Sequence, residues 1–125
     1  MSSLFIDGKW LAGDGVAMAK TNPADNAPLW SGRAASGAQV DAAVQAARAA
    51  FPAWARAGLD ARAKVVRRFG ELLTERKAEL ARVIAQETGK PLWEATTEVA
   101  TMVGKIDISL KALAERTGER AAAMG

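Results

Sequence analysis

The stretch SGAQVDAAVQAARAAFPAW at residues 36–54 gives the chain its helical character, because its apolar side chains recur at a helical period. Ser36 and Gln39 have the spacing of a capping box, in which each side chain accepts a backbone N–H of the other residue. Steps of three or four residues place these apolar side chains on one helix face: Val40, Val44, Ala47, Phe51 and Trp54. Pro52 has no backbone N–H to donate, so we expect this helix to end near residue 50 or 51, before a turn that carries the tryptophan.

Two further helices are predicted directly after this one. The second opens at Gly58 and Asp60, which puts an acidic side chain in its positive first turn. Its expected buried stripe consists of Val65, Val66, Phe69, Leu72 and Leu73. The apolar pattern slips out of phase near Thr74, which predicts a break and a third helix over about residues 75–87.

A last and longer helix is predicted over about residues 92–116. Gly89 suits the position after a helix and Pro91 the first position of the next one, so the boundary is well marked. The expected apolar side of this helix consists of Ala95, Val99, Met102, Val103, Ile106, Leu110 and Leu113.

Residues 1–37 have a different composition and hold five of the eleven glycines. Asp7 and Gly8 separate two short apolar runs, which is typical of a two-residue hairpin because glycine tolerates positive φ. Further strands are expected over residues 16–21 and 28–33. The sequence therefore predicts an α+β segment, with short antiparallel N-terminal strands followed by about four α-helices.

The composition excludes several kinds of chemistry within the 125 residues. The chain has no cysteine, histidine or tyrosine, which rules out disulfides, a Cys nucleophile, a Ser–His pair and zinc sites with thiolate or imidazole ligands. Its 17 basic and 14 acidic side chains are interleaved, whereas a nucleic-acid footprint is a concentrated basic stripe. No apolar run reaches the roughly 18 residues of a membrane span, and no export signal opens the chain. We expect a cytoplasmic location, with no nucleic-acid or membrane partner.

Two short patterns invite a functional interpretation. The GDG run at residues 13–15 lacks the third glycine of a dinucleotide fingerprint, so a turn is expected there. Glu94 and Glu98 lie one helical turn apart, as do Glu115 and Glu119, and each pair could share a proton or a metal ion. Helical carboxylate metal sites usually add histidine, so solvated helix faces are the favoured interpretation.

The order of several short motifs resembles the beginning of an aldehyde dehydrogenase. The motifs are FIDGKW at residues 5–10, NPA at 22–24, VDAAV at 40–44 and ETGKP at 87–91. Later segments, PLWEA at 91–95 and ERTGE at 115–119, resemble bacterial members of the family that act on a semialdehyde in arginine breakdown. The resemblance covers residues 4 to about 119.

The resemblance implies a fragment of an enzyme with a Rossmann-type coenzyme domain. Members of the family oxidise an aldehyde with NAD or NADP: a Cys thiolate attacks the carbonyl, hydride passes to the nicotinamide and a Glu activates water. Those elements lie further along the family's chain, so we expect this segment to hold no catalytic or NAD-binding residue and to be inactive alone. Its expected partners are the rest of the catalytic chain, an aldehyde substrate in the complete enzyme and further copies in a homo-oligomer.

On the same resemblance, residues 1–125 are the incomplete N-terminal part of a coenzyme-binding domain. Strands and turns occupy residues 1–37, helices 38–118 and a tail 119–125. The helix faces at 38–51 and 92–116 are then bare in this segment, which predicts self-association or loosened packing. Four tryptophans beside turns also suggest a surface that expects a neighbour: Trp10, Trp30, Trp54 and Trp93.

The resemblance also implies roles for four residues. Met102 is expected to face the substrate channel, with Lys105 one turn away attracting a substrate that carries carboxylates; the alternative is a core methionine and a solvated lysine. Thr21 and Glu87 stand where some family members bind a structural monovalent cation, with a third ligand from outside this segment. A different class of function remains open, a non-catalytic helical module for binding or assembly.

Overall fold

The computed structural model of the chain describes residues 4–117, in which four short strands precede four helices. The strands are β1 (Leu4–Ile6), β2 (Lys9–Leu11), β3 (Ala17–Thr21) and β4 (Pro28–Arg33). The helices are α1 (Gly37–Arg56), α2 (Gly58–Glu75), α3 (Lys77–Thr88) and α4 (Leu92–Arg116). The predicted α+β arrangement is confirmed. The predicted tail and the Glu119 carboxylate lie outside the described residues.

The strands form two separate antiparallel hairpins. Asp7 and Gly8 connect β1 to β2 with φ values of 50° and 74°, the two positive angles that a tight type I′ turn requires. Phe5 lies opposite Trp10 across this hairpin, with ring centroids 5.1 Å apart. The second hairpin pairs β3 with β4, and β3 begins one residue later than predicted.

Gln39 fixes the loop that leads from the strands into α1. Its side-chain oxygen accepts hydrogen bonds from the backbone N–H groups of Asp14 at 2.9 Å and Ser36 at 3.0 Å. Its side-chain nitrogen donates to the Ala12 carbonyl at 2.8 Å, and its backbone N–H donates to Ser36 Oγ at 3.3 Å. The predicted capping box is confirmed, and the same glutamine ties α1 to a loop 25 residues earlier in the sequence.

The prediction that the first helix ends before Pro52 was wrong, because α1 continues through the proline to Arg56. Proline removes one backbone donor and so one helical hydrogen bond. The helical pattern resumes directly after it, since the Ala57 N–H donates to the Ala53 carbonyl at 3.1 Å. The flanking residues are mostly alanine, whose high helix propensity offsets part of the lost bond.

The other helix boundaries follow the sequence. α2 and α3 meet at Arg76, two residues beyond the predicted break near Thr74. Gly89 ends α3 with a φ of 75°, and α4 begins directly after Pro91, as predicted. A Cβ on this glycine would lie 2.9 Å from Pro23 Cγ, so glycine meets two requirements here, the positive φ and a close approach.

The buried core of the described chain lies between α3 and α4. Ala81, Ala95 and Val99 are at most 1% exposed. Partly buried apolar side chains surround them: Leu80, Ile84 and Ala85. α2 approaches α4 at Gly70, where an added Cβ would lie 3.1 Å from Ile106 Cγ1. Small residues at these contacts let the helix backbones come close, but each buries little apolar area.

The predicted apolar stripes are only partly buried. On α2 the buried residues are Ala63, Gly70 and Leu73. The expectation that the large side chains of α2 share one buried stripe was only partly right: Leu73 is buried and Val66 is half-buried, whereas the helix approaches α4 at Gly70. The other three residues of the predicted stripe are exposed: Val65, Phe69 and Leu72. On α4, Ala95 and Val99 are buried as expected, whereas Met102 and Leu113 are exposed.

α1 carries a bare apolar face, as the sequence predicts for this helix. None of its residues is buried, and its exposed apolar side chains are Val40, Val44, Phe51 and Trp54. The four tryptophans of the chain are exposed as well. Among residues 4–117, no helix combines the length and the hydrophobicity needed to cross a bilayer. Self-association of the bare faces stays a prediction.

We expect Val99→Ala to lower the free energy of unfolding of the chain by about 2 kcal/mol, because it removes buried methyl groups and leaves a cavity between α3 and α4. Val65→Ala deletes the same atoms from an exposed face of α2 and should change stability by less than about 0.5 kcal/mol. Urea unfolding followed by far-UV circular dichroism measures both. Equal losses in the two variants would contradict this placement of the core.

Candidate functional site

Met102 and Lys105 lie on α4, and the side chains of both are exposed. Helical periodicity places them on one flank with Glu98, beside the buried side of the helix that carries Ala95 and Val99. We call the strip formed by Glu98, Met102 and Lys105 the α4 flank. Met102 is 41% exposed, so the described residues do not enclose it in a core. Its role at a substrate channel stays a prediction.

Lys90 reaches from the turn between α3 and α4 to two carboxylates on α4. Its Nζ donates a hydrogen bond to Glu98 Oε1 and lies 3.8 Å from Glu94 Oε1. The lysine side chain is 24% exposed, whereas the cations of three other ion pairs in the described chain are 55 to 77% exposed. Water therefore screens this cluster less than it screens the other pairs.

The hydrogen bond to Glu98 raises the pKa of Lys90 above its ordinary value of 10.5, and attraction to the Glu98 and Glu94 carboxylates adds to the rise against an opposing effect of burial. Lys90 is thus cationic at neutral pH. The sequence-based interpretation of Glu94 and Glu98 as a solvated helix face missed Lys90 as their ion-pair partner. The signal was present in the sequence, because Lys90 precedes the glutamates by four and eight residues, a helical spacing that continues back across Pro91.

Glu87 lies beside the β3–β4 hairpin. Trp30 Nε1 donates a hydrogen bond to Glu87 Oε1 at 3.1 Å. Thr21 ends β3 in the same hairpin and is exposed. Within residues 4–117, no three or more acidic, histidine or cysteine side chains group together in a way that would hold a metal ion. Thr21 and Glu87 do not by themselves complete a cation site, and one oxygen of the carboxylate already accepts the indole N–H.

The glycine-containing loop at residues 13–15 does not cradle a phosphate. The Gly15 N–H donates to the Ala34 carbonyl at 2.8 Å, and the N–H of Asp14 donates to Gln39. A Cβ on Gly13 would lie 2.1 Å from the Arg33 carbonyl oxygen, so the glycine serves a close backbone contact. Both sheets of the described chain are antiparallel, and dinucleotides are bound by parallel βαβ units. The described residues therefore form no βαβ unit of this kind, and the expectation that the segment binds no NAD stays a prediction.

The whole arrangement of hairpins and helices recurs in solved structures. An NAD-dependent benzaldehyde dehydrogenase from Corynebacterium glutamicum has a TM-score of 0.87 and 26% sequence identity, and the match covers 99% of this chain and 27% of that one. The family model described as the aldehyde dehydrogenase family matches residues 10–124. The chain belongs to the aldehyde dehydrogenase family. The resemblance seen in the sequence motifs is thereby confirmed.

Two relatives narrow the comparison within the family. The N-succinylglutamate 5-semialdehyde dehydrogenase of Chromobacterium violaceum is 93% identical over 125 residues, which are 100% of this chain and 26% of that protein. The protein of the same name from Paraburkholderia xenovorans is 55% identical over 124 residues, 99% of this chain and 26% of that protein. The chain matches the N-terminal part of these relatives and spans only that share of their length.

We expect Lys90→Met to lower the free energy of unfolding of the chain at neutral pH, and we expect this loss to shrink in alkali. The pKa of Lys90 is raised by folding, so its ion pairs stabilise the folded state fully below the unfolded value of 10.5 and less as the pH rises through the higher folded value. Urea unfolding of the chain and the variant, at neutral pH and at pH values on either side of 10.5, measures the effect.

Lys111→Met is the matched control, because it removes an equal charge from an exposed pair with Glu115 on the same helix. It should change stability little at any of these pH values. The ion pairs would not be the cause of the stability loss if the difference in free energy of unfolding between the unmodified chain and Lys90→Met stayed constant through the alkaline range.

Proposed function

We propose that this chain is the N-terminal part of an NAD-dependent N-succinylglutamate 5-semialdehyde dehydrogenase, and that it acts there as scaffold. The observation that carries the proposal is the 93% identity, over all 125 residues, to the Chromobacterium violaceum protein of that name. The complete enzyme would oxidise the aldehyde group of its substrate to a carboxylate and reduce NAD. The chain has no cysteine, so the thiolate that attacks the carbonyl would come from the rest of the enzyme.

The bare face of α1 supports the scaffold role. Val40 and Val44 line an open apolar groove with Phe5 of the first hairpin, and Phe51 and Trp54 are exposed further along the same helix. Burying apolar surface of this kind against a neighbour contributes about 25 cal/mol of favourable free energy per Å². We assign residues 1–125 to the incomplete N-terminal part of the coenzyme-binding domain, and we place the remainder of that domain against α1.

The cofactor, location and assembly belong to the same proposal. NAD is proposed as the cofactor, bound outside this segment; of the solved structures of similar fold, a benzaldehyde dehydrogenase is NAD-dependent and a glyceraldehyde-3-phosphate dehydrogenase is NADP-dependent. A cytoplasmic location and a homo-oligomeric complete enzyme are proposed with it. Thr21 and Glu87 would contribute to a structural monovalent cation site, with a third ligand from the rest of the enzyme. The bond from Trp30 supports this in one respect, since it holds Glu87 beside the hairpin in which Thr21 ends the first strand.

The α4 flank is our candidate for the part of this chain nearest the substrate. N-succinylglutamate 5-semialdehyde carries two carboxylates besides its aldehyde group. Lys105 has no ion-pair partner among the described residues, so its charge is available to an anion beside Met102. A cation at the mouth of a partly dry channel raises the local concentration of an anionic substrate. We propose Met102 and Lys105 as channel residues on this basis.

The first test compares the chain alone with a complete enzyme. The purified chain, mixed with NAD and N-succinylglutamate 5-semialdehyde, should form no NADH and bind no NAD. In a chimera, the chain replaces the matching N-terminal segment of the Chromobacterium violaceum relative. The chimera should keep the relative's kcat/KM to within about threefold. NADH absorbance measures turnover by the chain and by the chimera, and calorimetric titration with NAD measures binding by the chain. Turnover by the chain alone, or an inactive but folded chimera, would contradict the proposal.

A non-catalytic assembly module is a second candidate function, favoured by the exposed apolar face of α1. Light scattering of the purified chain separates the candidates. A discrete, concentration-independent oligomer supports a dedicated assembly module. Non-specific association that disappears when the chain is part of the chimera supports the scaffold role.

In the chimera, Lys105→Met should raise KM for N-succinylglutamate 5-semialdehyde about threefold to tenfold, because it removes a cation that attracts the substrate carboxylates. The value of kcat and the KM for propanal, a neutral aldehyde, should change little. Steady-state kinetics with both aldehydes measures this, with Lys111→Met as the control of equal charge. A rise in KM that is equal for the two aldehydes would contradict an electrostatic role of Lys105.

A further inference from the structure

Glu98 is the acidic member of the α4 flank. At a helix rise of about 1.5 Å per residue, it lies about 6 Å along the axis from Met102 and about 10 Å from Lys105. These separations are within or near the Debye length of about 10 Å at ordinary salt concentrations. The charge of Glu98 therefore acts on any anion bound beside Met102, and it opposes the attraction that Lys105 exerts.

Lys90 offsets this charge at its source. Its Nζ hydrogen-bonds to Glu98 and lies near Glu94, and its side chain is the most shielded cation among the ion pairs named above. The hydrogen bond therefore runs from the turn between α3 and α4, where Lys90 lies, to the second turn of α4. This contact holds the Glu98 carboxylate at the Lys90 ammonium group and offsets its negative charge.

We propose that Lys90 is a positioning residue for a carboxylate-bearing aldehyde: it holds and neutralises Glu98, so that an anionic substrate beside Met102 meets the charge of Lys105 without an opposing carboxylate. The inference rests on the proposed function, because only a substrate with carboxylates responds to this arrangement. Lys90 acts through Glu98 and does not itself touch the substrate. A neutral aldehyde should be indifferent to the charge of either residue.

The test uses the chimera defined above, assayed with N-succinylglutamate 5-semialdehyde and with propanal. Lys90→Met should raise KM for the semialdehyde about threefold to tenfold, while kcat and the KM for propanal stay within about twofold. Lys90→Arg keeps the charge and should behave like the unmodified chimera. The double variant Lys90→Met with Glu98→Gln removes the exposed carboxylate and should bring KM for the semialdehyde back to within about twofold of its original value. Higher salt should narrow the gap between the unmodified chimera and Lys90→Met.

Each outcome has a distinct meaning. Recovery in the double variant supports the inference, because a loss of helix orientation alone would not be repaired by deleting the second partner. If Lys90→Met leaves KM for the semialdehyde unchanged, or alters both aldehydes alike without recovery in the double variant, the inference is wrong and the proposed function stands. If the unmodified chimera oxidises propanal but not the semialdehyde, the proposed function fails, and the inference fails with it.

Discussion

The contact between α3 and α4 holds the described chain together. Ala81, Ala95 and Val99 exclude water almost completely, and their small volume brings the two helix backbones close enough for the short connection through Gly89 to be possible. That connection in turn places Lys90 within reach of α4 and sets the β3–β4 hairpin beside the end of α3, through the close approach of Gly89 to Pro23. A larger residue at any of these positions would push apart elements that have little other buried surface to hold them.

The sequence predicted the local elements well because their signals are local. Asp7 and Gly8 specify a hairpin through their own backbone preferences, and Ser36 with Gln39 specifies a helix start through a bond between near neighbours. Pro52 misled the prediction because a helix tolerates the loss of one bond when its neighbours have high propensity. The burial pattern of α2 was also mispredicted, since the face that packs is chosen by α4 and by the approach at Gly70, which periodicity does not contain.

The candidate site likewise combines residues that the sequence pointed to with contacts that only the structure shows. Met102 and Lys105 come from family resemblance, and the structure adds that both are exposed and lie on a flank with Glu98. Lys90 was overlooked because it lies outside the helix, where spacing rules for side-chain pairs are not usually applied. Its spacing of four and eight residues from the two glutamates was the available signal, and the structure adds that the turn at Gly89 and Pro91 lines Lys90 up with the first two turns of α4.

The separation of the four strands into two hairpins has a consequence for the polypeptides that can pair with this segment. Every strand in the described chain is an outer strand, so each offers a row of main-chain amides and carbonyls to whatever lies alongside. Lys9 on β2 and Lys20 on β3 disfavour edge-to-edge pairing of these strands with the same strands of a second copy, because the like charges repel. A polypeptide of different sequence and suitable register avoids this charge repulsion, and backbone hydrogen bonds alone suffice for it to add a strand to either hairpin.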